Sequence, residues 1–363
     1  MPRILVDLLF LTGRKGGMES YVKRLYSAMP RDTGIEFVGL ISREAEGLDL
    51  SWFPGELVRS GVSGDDRVAW ALGELRGVPS WARRTGADLI HLTANLGPLR
   101  ASVPVVMTLH DLLPFVHPEW VPGAHAPILR WMIKRAARNA ARILTISEAS
   151  RADIVRELGV AGDRVEVIPL AGGDPAPVTQ EADVDPRVVL TIGNRLPHKN
   201  GETLIRALAH IPVGQRPRLV ITGETGADDP LLAVARDAGV VDDVDFAGWV
   251  SPAELDELFG RASVVAVPSL FEGFGLPVLE GMSRGRAVVC SDLPVLHETA
   301  GDAASYVAPT DPEAWAAELA RLLADPPARE GLVAAGTARA AAFSWQSTAE
   351  RTLAVFQRVL ADS

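Results

Sequence analysis

The stretch Val267-Pro-Ser-Leu-Phe-Glu-Gly-Phe-Gly-Leu-Pro-Val-Leu-Glu-Gly-Met282 decides how the rest of the chain is read. It opens at the end of an apolar run, Ala262 to Val267, which predicts a buried strand. It crosses a loop with two glycines, Gly273 and Gly275. It then enters a short helix with Pro277 in its first turn, where a missing N–H costs nothing. Strand end, glycine loop and helix start together make an anion site, because the first turn of a helix offers unpaired N–H groups at the positive end of its dipole. Two carboxylates, Glu272 and Glu280, bracket the junction. Alone, Glu272 reads as a helix cap and Glu280 as an exposed helix charge. Their joint spacing around Gly-Phe-Gly-Leu-Pro singles them out.

Working outward, a βα series begins at Val188-Val-Leu-Thr-Ile192 and runs through Gly193-Asn-Arg-Leu-Pro-His-Lys-Asn200 into a helix at 201–209. Strands are expected at 218–222, 244–247, 287–291 and 303–307, with helices at 229–238, 252–261 and 312–323 between and after them. Arg195 and Lys199 place two cations at one strand end, a combination that suits a diphosphate or a leaving group gaining negative charge.

A second series occupies the N-terminal half. Strands are expected at 4–10, 34–41, 88–92, 103–109, 143–146 and 165–169, and helices at 19–29, 68–84, 127–141 and 148–158. Residues 42–66 are polar and weakly patterned, and read as a loop or lid. Gly16-Gly17 lies at a strand-to-helix turn, where it serves either as a tight turn or as a close approach to a ligand. Neither the dinucleotide G-x-G-x-x-G spacing nor the P-loop is present. His110 follows a buried strand, and ligands of open α/β sheets bind outside strand carboxyl ends. It reads equally as a functional or a structural histidine. Two βα series on either side of a Pro/Gly/Asp-rich segment imply two doubly wound parallel-sheet domains facing a central cleft: 1–172, a linker at 173–187, and 188–344.

Bulk properties narrow the class. The 363 residues are 47% apolar and 23% charged, which fits a two-domain globular chain. The net charge of −10 argues against nucleic acid as a partner. Residues 1–172 carry 21 Lys/Arg against 19 Asp/Glu, and the remainder 15 against 27, so the N-terminal half is the less repelled by anions. The sole cysteine, Cys290, reads as a buried structural thiol. No signal peptide and no bilayer-length apolar run stand out, and a cytoplasmic location is expected. Asp183-Val-Asp185 has the look of a metal-binding pair but lies in the linker, where a solvated turn is favoured. Arg130, Lys134 and Arg138 form a basic stripe beside Trp131. A solvated face is the favoured reading, with weak contact to an anionic membrane as the other.

Glu272-Gly-Phe-Gly-Leu-Pro-Val-Leu-Glu280 resembles the E-x7-E motif of retaining glycosyltransferases of the GT-B fold, family 4. Gly16-Gly17-Met-Glu19, Thr108-Leu-His-Asp111, Ser147-Glu-Ala-Ser150 and Gly248-Trp-Val250 are similar to further landmarks, so the resemblance spans nearly the whole chain. His117-Pro-Glu-Trp120 resembles the mannosyltransferase-like branch. The resemblance implies that Arg195 and Lys199 bind a donor diphosphate. Glu272 contacts the transferred sugar, with help from the amides of Gly273, Phe274, Gly275 and Leu276. Glu280 binds the ribose, and Trp249 or Val250 lies near the base. Gly16 and Gly17 approach a phosphate, and His110 touches sugar or acceptor. The last helix, 345–363, returns to the N-terminal domain. Where the family often carries Arg-Lys, this chain has His198-Lys199, and Arg195 is expected to supply the arginine.

The implied reaction is transfer of a hexose, with retention, from a nucleotide diphosphate sugar to a hydroxyl of a glycan, lipid or natural product. GDP-mannose is favoured, with dTDP- and UDP-sugars as alternatives, and neither metal nor cofactor is needed. A nucleotide-sugar epimerase of the same fold and a sugar-nucleotide-binding protein without turnover are the competing readings.

Overall fold

The computed structural model describes residues 1–13, 16–121, 123, 125–173, 185–223 and 229–363. The chain forms two compact units, Met1–Leu170 with Ser344–Ser363, and Ala171–Phe343. Most of the linker expected at 173–187, including Asp183, lies outside the described residues, while Asp185 opens a strand.

The first unit is built on seven parallel strands: β1 (Arg3–Leu8), β2 (Glu36–Ile41), β3 (Glu56–Arg59), β4 (Leu89–Leu92), β5 (Val105–Thr108), β6 (Arg142–Thr145) and β7 (Val165–Val167). They run in the order β3-β2-β1-β4-β5-β6-β7. The central strands are mostly apolar because helices cover both faces of a parallel sheet, with Asp7, His91 and Thr108 as buried polar exceptions. Leu5, Leu40, Ile90, Met107 and Ile143 are buried in one continuous core with Met132 and Ile133 of the helix Ala126–Asn139. The strand order reverses between β1 and β4, so the loops after these strands diverge and leave a crevice at their carboxyl ends.

Two expectations are corrected here. The segment 42–66 contains β3, an edge strand paired with β2 and only half-buried. Its one-sided cover and the Gly/Ser/Pro around it hide the alternation that marks a strand. The helix expected over 68–84 is three pieces: Arg67–Leu72, a π-helical turn Gly73–Gly77, and Val78–Thr85. Pro79 has no N–H to continue an α-helical ladder. The wide turn also swings Glu74 inward, where it accepts from the Trp70 indole at 2.7 Å and hydrogen bonds with the carboxyl of Asp7. Both carboxyl groups are fully buried. Two carboxylates cannot share a hydrogen bond without a proton, and burial raises Asp7 well above the usual range.

The basic stripe is used internally. Lys134 Nζ donates to Glu157 O at 3.0 Å and Arg138 Nε to Leu158 O at 3.1 Å, so both cap the carboxyl end of the helix Glu148–Leu158. Arg130 Nη1 donates to Pro114 O at 3.4 Å. The exposed large apolar side chains of the helix Ala126–Asn139 are Ile128 and Trp131. The final helix, Trp345–Ala361, belongs to the first unit. Thr348 Oγ1 donates to Pro169 O at 2.7 Å, Arg358 pairs with Glu166, and Phe356 packs against His91.

His91 is buried with both ring nitrogens bound, to Tyr26 Oη at 2.7 Å and Thr108 Oγ1 at 3.0 Å. Burial and the neighbouring His110 push it from 6.5 down to about 3, and burial pushes His110 from 6.5 down to about 4. Both therefore take up protons more readily unfolded than folded. Their contribution to stability is whole above the unfolded value and is lost as pH falls towards the folded ones. Asp7, raised by burial, has the opposite sign: its contribution is whole in acid and lost as pH rises through the raised value. Two histidines outweigh one carboxyl. The urea midpoint of the first unit should therefore fall between about pH 7.5 and about pH 5, by up to roughly 1.4 kcal/mol per pH unit for each histidine. His91→Gln should remove most of that slope below about pH 6, where the opposite slope of Asp7 offsets the remaining His110. A midpoint constant over the range would refute the assignment.

The second unit has six parallel strands: β8 (Asp185–Thr191), β9 (Arg218–Thr222), β10 (Val244–Gly248), β11 (Ala262–Val267), β12 (Ala287–Ser291) and β13 (Ser305–Val307). Their order is β10-β9-β8-β11-β12-β13, with the reversal between β8 and β11. Helices at Pro294–Ala300 and Pro326–Ala340 add to those expected. The second begins at Asp325, whose side chain accepts from Ala328 N at 3.0 Å and caps a turn that opens with two prolines. Cys290 lies fully buried in β12.

Candidate functional site

In the second unit the loops after β8 and β11, the two strands at the reversal of order, carry the charged residues. Lys199 ends the turn Pro197–Lys199 after β8, and Glu272 follows β11. Lys199 Nζ donates to Glu272 Oε1 at 2.7 Å, and Ser269 Oγ donates to the same oxygen at 2.7 Å. The carboxylate is nearly buried, whereas the ammonium keeps about a fifth of its surface, 21%. No partner is described for Glu272 Oε2.

Asn200 locks these loops together. It holds a left-handed backbone (φ 55°), the sole non-glycine residue with positive φ among those described. Its Nδ2 donates to Pro268 O at 2.9 Å and Pro309 O at 2.7 Å, while its Oδ1 accepts from Thr203 Oγ1 at 2.9 Å. Three loop ends and one helix are thereby tied by a single amide. Leu270 N donates to His198 O at 2.7 Å and closes the other side.

Gly275 precedes the helix Leu276–Ser283 with φ 95°, a backbone that favours glycine. A Cβ there would also lie 2.5 Å from Leu296 Cδ2. Among the described residues the amides of Phe274, Gly275 and Leu276 have no acceptor, as the start of a helix dictates. Glu280 stands half-buried in the second turn of this helix. Trp249, after β10 at the sheet edge, is 67% exposed, and Val250 is half-buried.

The two cations expected at the diphosphate pair with different carboxylates. Lys199 meets Glu272, whereas Arg195 pairs with Asp229, donates to Ile221 O at 3.3 Å and stacks on Phe246 at 4.8 Å. Arg195 is turned inward because Asp229 offers a buried counter-charge: the side chains of the pair are 7% and 6% exposed.

In the first unit, β1, β4 and β5 end in a polar group. Gly16, at φ 56°, precedes the helix Gly17–Ser27. Ahead of it, Glu19 Oε1 accepts from Thr12 N at 2.7 Å and Gly13 N at 3.0 Å, so those two amides are already satisfied by the chain's own carboxylate. His110, after β5, is buried, and its backbone N donates to Asn95 Oδ1 at 3.1 Å. Its Nε2 lies 3.2 Å from Thr93 O. A carbonyl only accepts, so Nε2 carries the proton and Nδ1 keeps a free lone pair. With burial holding the ring at about 4, His110 is neutral at pH 7 and suited to accept from a hydroxyl. The Tyr21 ring meets it edge-on at 4.6 Å, and the Tyr21 hydroxyl joins Thr108 and His91 in a buried chain.

Ser269, Asn200, Asp229 and His91 were not singled out as site residues by sequence. The first two lie inside the quoted motifs, so their signal was proximity alone. The other two are decided by contacts with residues far along the chain. Among the described residues, no group of three or more His, Cys, Asp or Glu is arranged to hold a metal. None of the described helices is long and apolar enough to cross a membrane.

Residues 176–339 match the family described as Glycosyl transferases group 1, and residues 15–171 match Glycosyltransferase Family 4. O-antigen chain mannosyltransferase B of Escherichia coli is 31% identical over 291 residues, covering 77% of this chain and 76% of that protein. MMP alpha-(1->4)-mannosyltransferase of Mycolicibacterium hassiacum is 31% identical over 299 residues, covering 77% and 72%. Among solved structures, sucrose-phosphate synthase from Thermosynechococcus elongatus aligns over 100% of both chains with a TM-score of 0.81 at 20% identity, which supports the GT-B fold for this chain.

Proposed function

This chain belongs to the group 1 and family 4 glycosyltransferases, and from that premise we propose that it transfers a hexose from a nucleotide diphosphate sugar to an acceptor hydroxyl with retention of configuration. The observation that carries the reading is the meeting of Lys199 and Glu272 at the strand-order reversal between β8 and β11, next to the unpaired amides of Phe274, Gly275 and Leu276. A diphosphate seeks a cation and oriented N–H groups, and a sugar hydroxyl seeks a fixed carboxylate. Mannosyltransferases among the relatives support mannose as the transferred sugar, and the donor proposed is GDP-mannose, with a glycan, lipid or natural product as acceptor.

In this reading Lys199 and the amides stabilise the charge that builds on the departing phosphate, and Glu272 orients the sugar. Glu280 takes the ribose, and Trp249 or Val250 flanks the base. Arg195 frames the loops after β8 and β9, and reaches phosphate only by exchanging Asp229 for it. Gly16 and Gly17 offer a backbone approach to a phosphate, and His110 accepts a hydroxyl through Nδ1. The family-implied step is attack from the face the phosphate leaves, with that phosphate taking the acceptor's proton.

A thermal-shift series with GDP-, UDP-, dTDP- and ADP-sugars tests the proposal. Sugars of one base should raise the transition, by the equivalent of about 2.7 kcal/mol at a hundredfold excess over Kd. No shift with any of them would remove the donor assignment.

A further inference from the structure

Given the donor-site assignment above, we infer that Ser269 is a positioning residue for the transfer: it holds Glu272 in place when the diphosphate draws Lys199 away. The case begins at one atom. Glu272 Oε1 accepts from both Lys199 Nζ and Ser269 Oγ, each at 2.7 Å, while Oε2 is left for another donor. Lys199 therefore faces two anions, the carboxylate it already holds and the phosphates it is assigned to bind. A diphosphate carries more charge than a carboxylate and offers more acceptor oxygens, so it takes the larger share of the ammonium. The Glu272 side chain, with several rotatable bonds, then loses its charged anchor and would regain rotamer freedom.

Ser269 is built to prevent this. It is 1% exposed. The residue before it is Pro268, with a ring-fixed φ and a carbonyl held by Asn200 Nδ2 at 2.9 Å. The residue after it, Leu270, donates its amide to His198 O at 2.7 Å. Both neighbours are thus anchored to the segment that carries Lys199, and the hydroxyl between them has a fixed origin. Its hydrogen bond occupies Oε1 and turns Oε2 to the substrate hydroxyl. A supporting hydrogen bond of this kind sets the geometry of the group that touches substrate. Ser269 is buried and its hydroxyl is spent on Glu272, so the affinity for the nucleotide should not depend on this residue.

The experiment compares wild type, Ser269→Ala and Ser269→Thr, using GDP with GDP-mannose, UDP with UDP-glucose and dTDP with dTDP-glucose. Binding is followed by thermal shift, and turnover by release of the nucleoside diphosphate. Ser269→Ala should keep the wild-type affinity for the free nucleoside diphosphate within about twofold and lose turnover at saturating donor by about tenfold or more. Ser269→Thr, which retains the hydroxyl, should recover most of it. Equal turnover in wild type and Ser269→Ala, a parallel fall in diphosphate affinity, or a failure of Thr to exceed Ala would each overturn the inference while leaving the donor site intact. If the wild type binds none of the six compounds and no ADP-sugar, the donor-site reading fails first and the role of Ser269 fails with it.

Discussion

Glu272→Gln is expected to lower turnover by about 100-fold or more, roughly 3 kcal/mol of transition-state stabilisation. The substitution keeps the shape of the side chain and removes its charge. Lys199 is left with a neutral amide oxygen in place of its charged partner, and a substrate hydroxyl loses a charged acceptor. Binding of the free nucleoside diphosphate should hold or improve, because the carboxylate that competes for Lys199 is gone. This opposite movement of turnover and diphosphate affinity separates a role in orienting sugar from a role in folding. Steady-state kinetics with thermal shift in the matching nucleoside diphosphate would show it. Wild-type turnover in Glu272→Gln would refute the assigned role.

Asp229→Ala should cost the second unit about 3–5 kcal/mol of stability, read as a lower urea midpoint for residues 171–343. The guanidinium of Arg195 is nearly buried and would be left with Ile221 O and the face of Phe246. Those contacts do not neutralise it, and an uncompensated buried charge is among the largest single-site penalties. The double variant Arg195→Met with Asp229→Leu should recover most of the loss, since an apolar pair of similar volume replaces the ion pair. A loss under about 1 kcal/mol in Asp229→Ala would show that Arg195 finds another counter-charge in solution. The same variant bears on function: if Arg195 is framework, donor affinity should follow stability and not fall independently of it.

Much of this protein is legible without coordinates. The strands Arg218–Thr222, Ala262–Val267 and Ala287–Ser291 and the helices Glu148–Leu158, Gly201–Ala209 and Pro252–Arg261 have the bounds their residues suggest. Buried parallel strands are short apolar runs, and each of these helices begins after a residue suited to starting it. The glycine loop of 273–275 and its paired glutamates are equally local. What escaped was non-local or one-sided. The edge strand Glu56–Arg59 hides because just one face is covered. The π-turn at Gly73–Gly77 comes with a buried contact from Glu74 to Asp7, far away in sequence, and the basic stripe beside Trp131 is spent on carbonyls of a neighbouring helix.

The division is clearest in the four charges after β8, β9 and β11. Residue type and spacing announce Lys199, Arg195 and Glu272 as a set. Which cation meets which carboxylate depends on where Asp229 lies, and that depends on β9 standing beside β8 in the sheet. Local pattern thus determined two βα units and a glycine loop with two glutamates. Tertiary structure alone decided that Lys199 faces Glu272 and Arg195 faces inward, because a charge settles on the nearest counter-charge in space, and nearness in a parallel sheet is set by strand order.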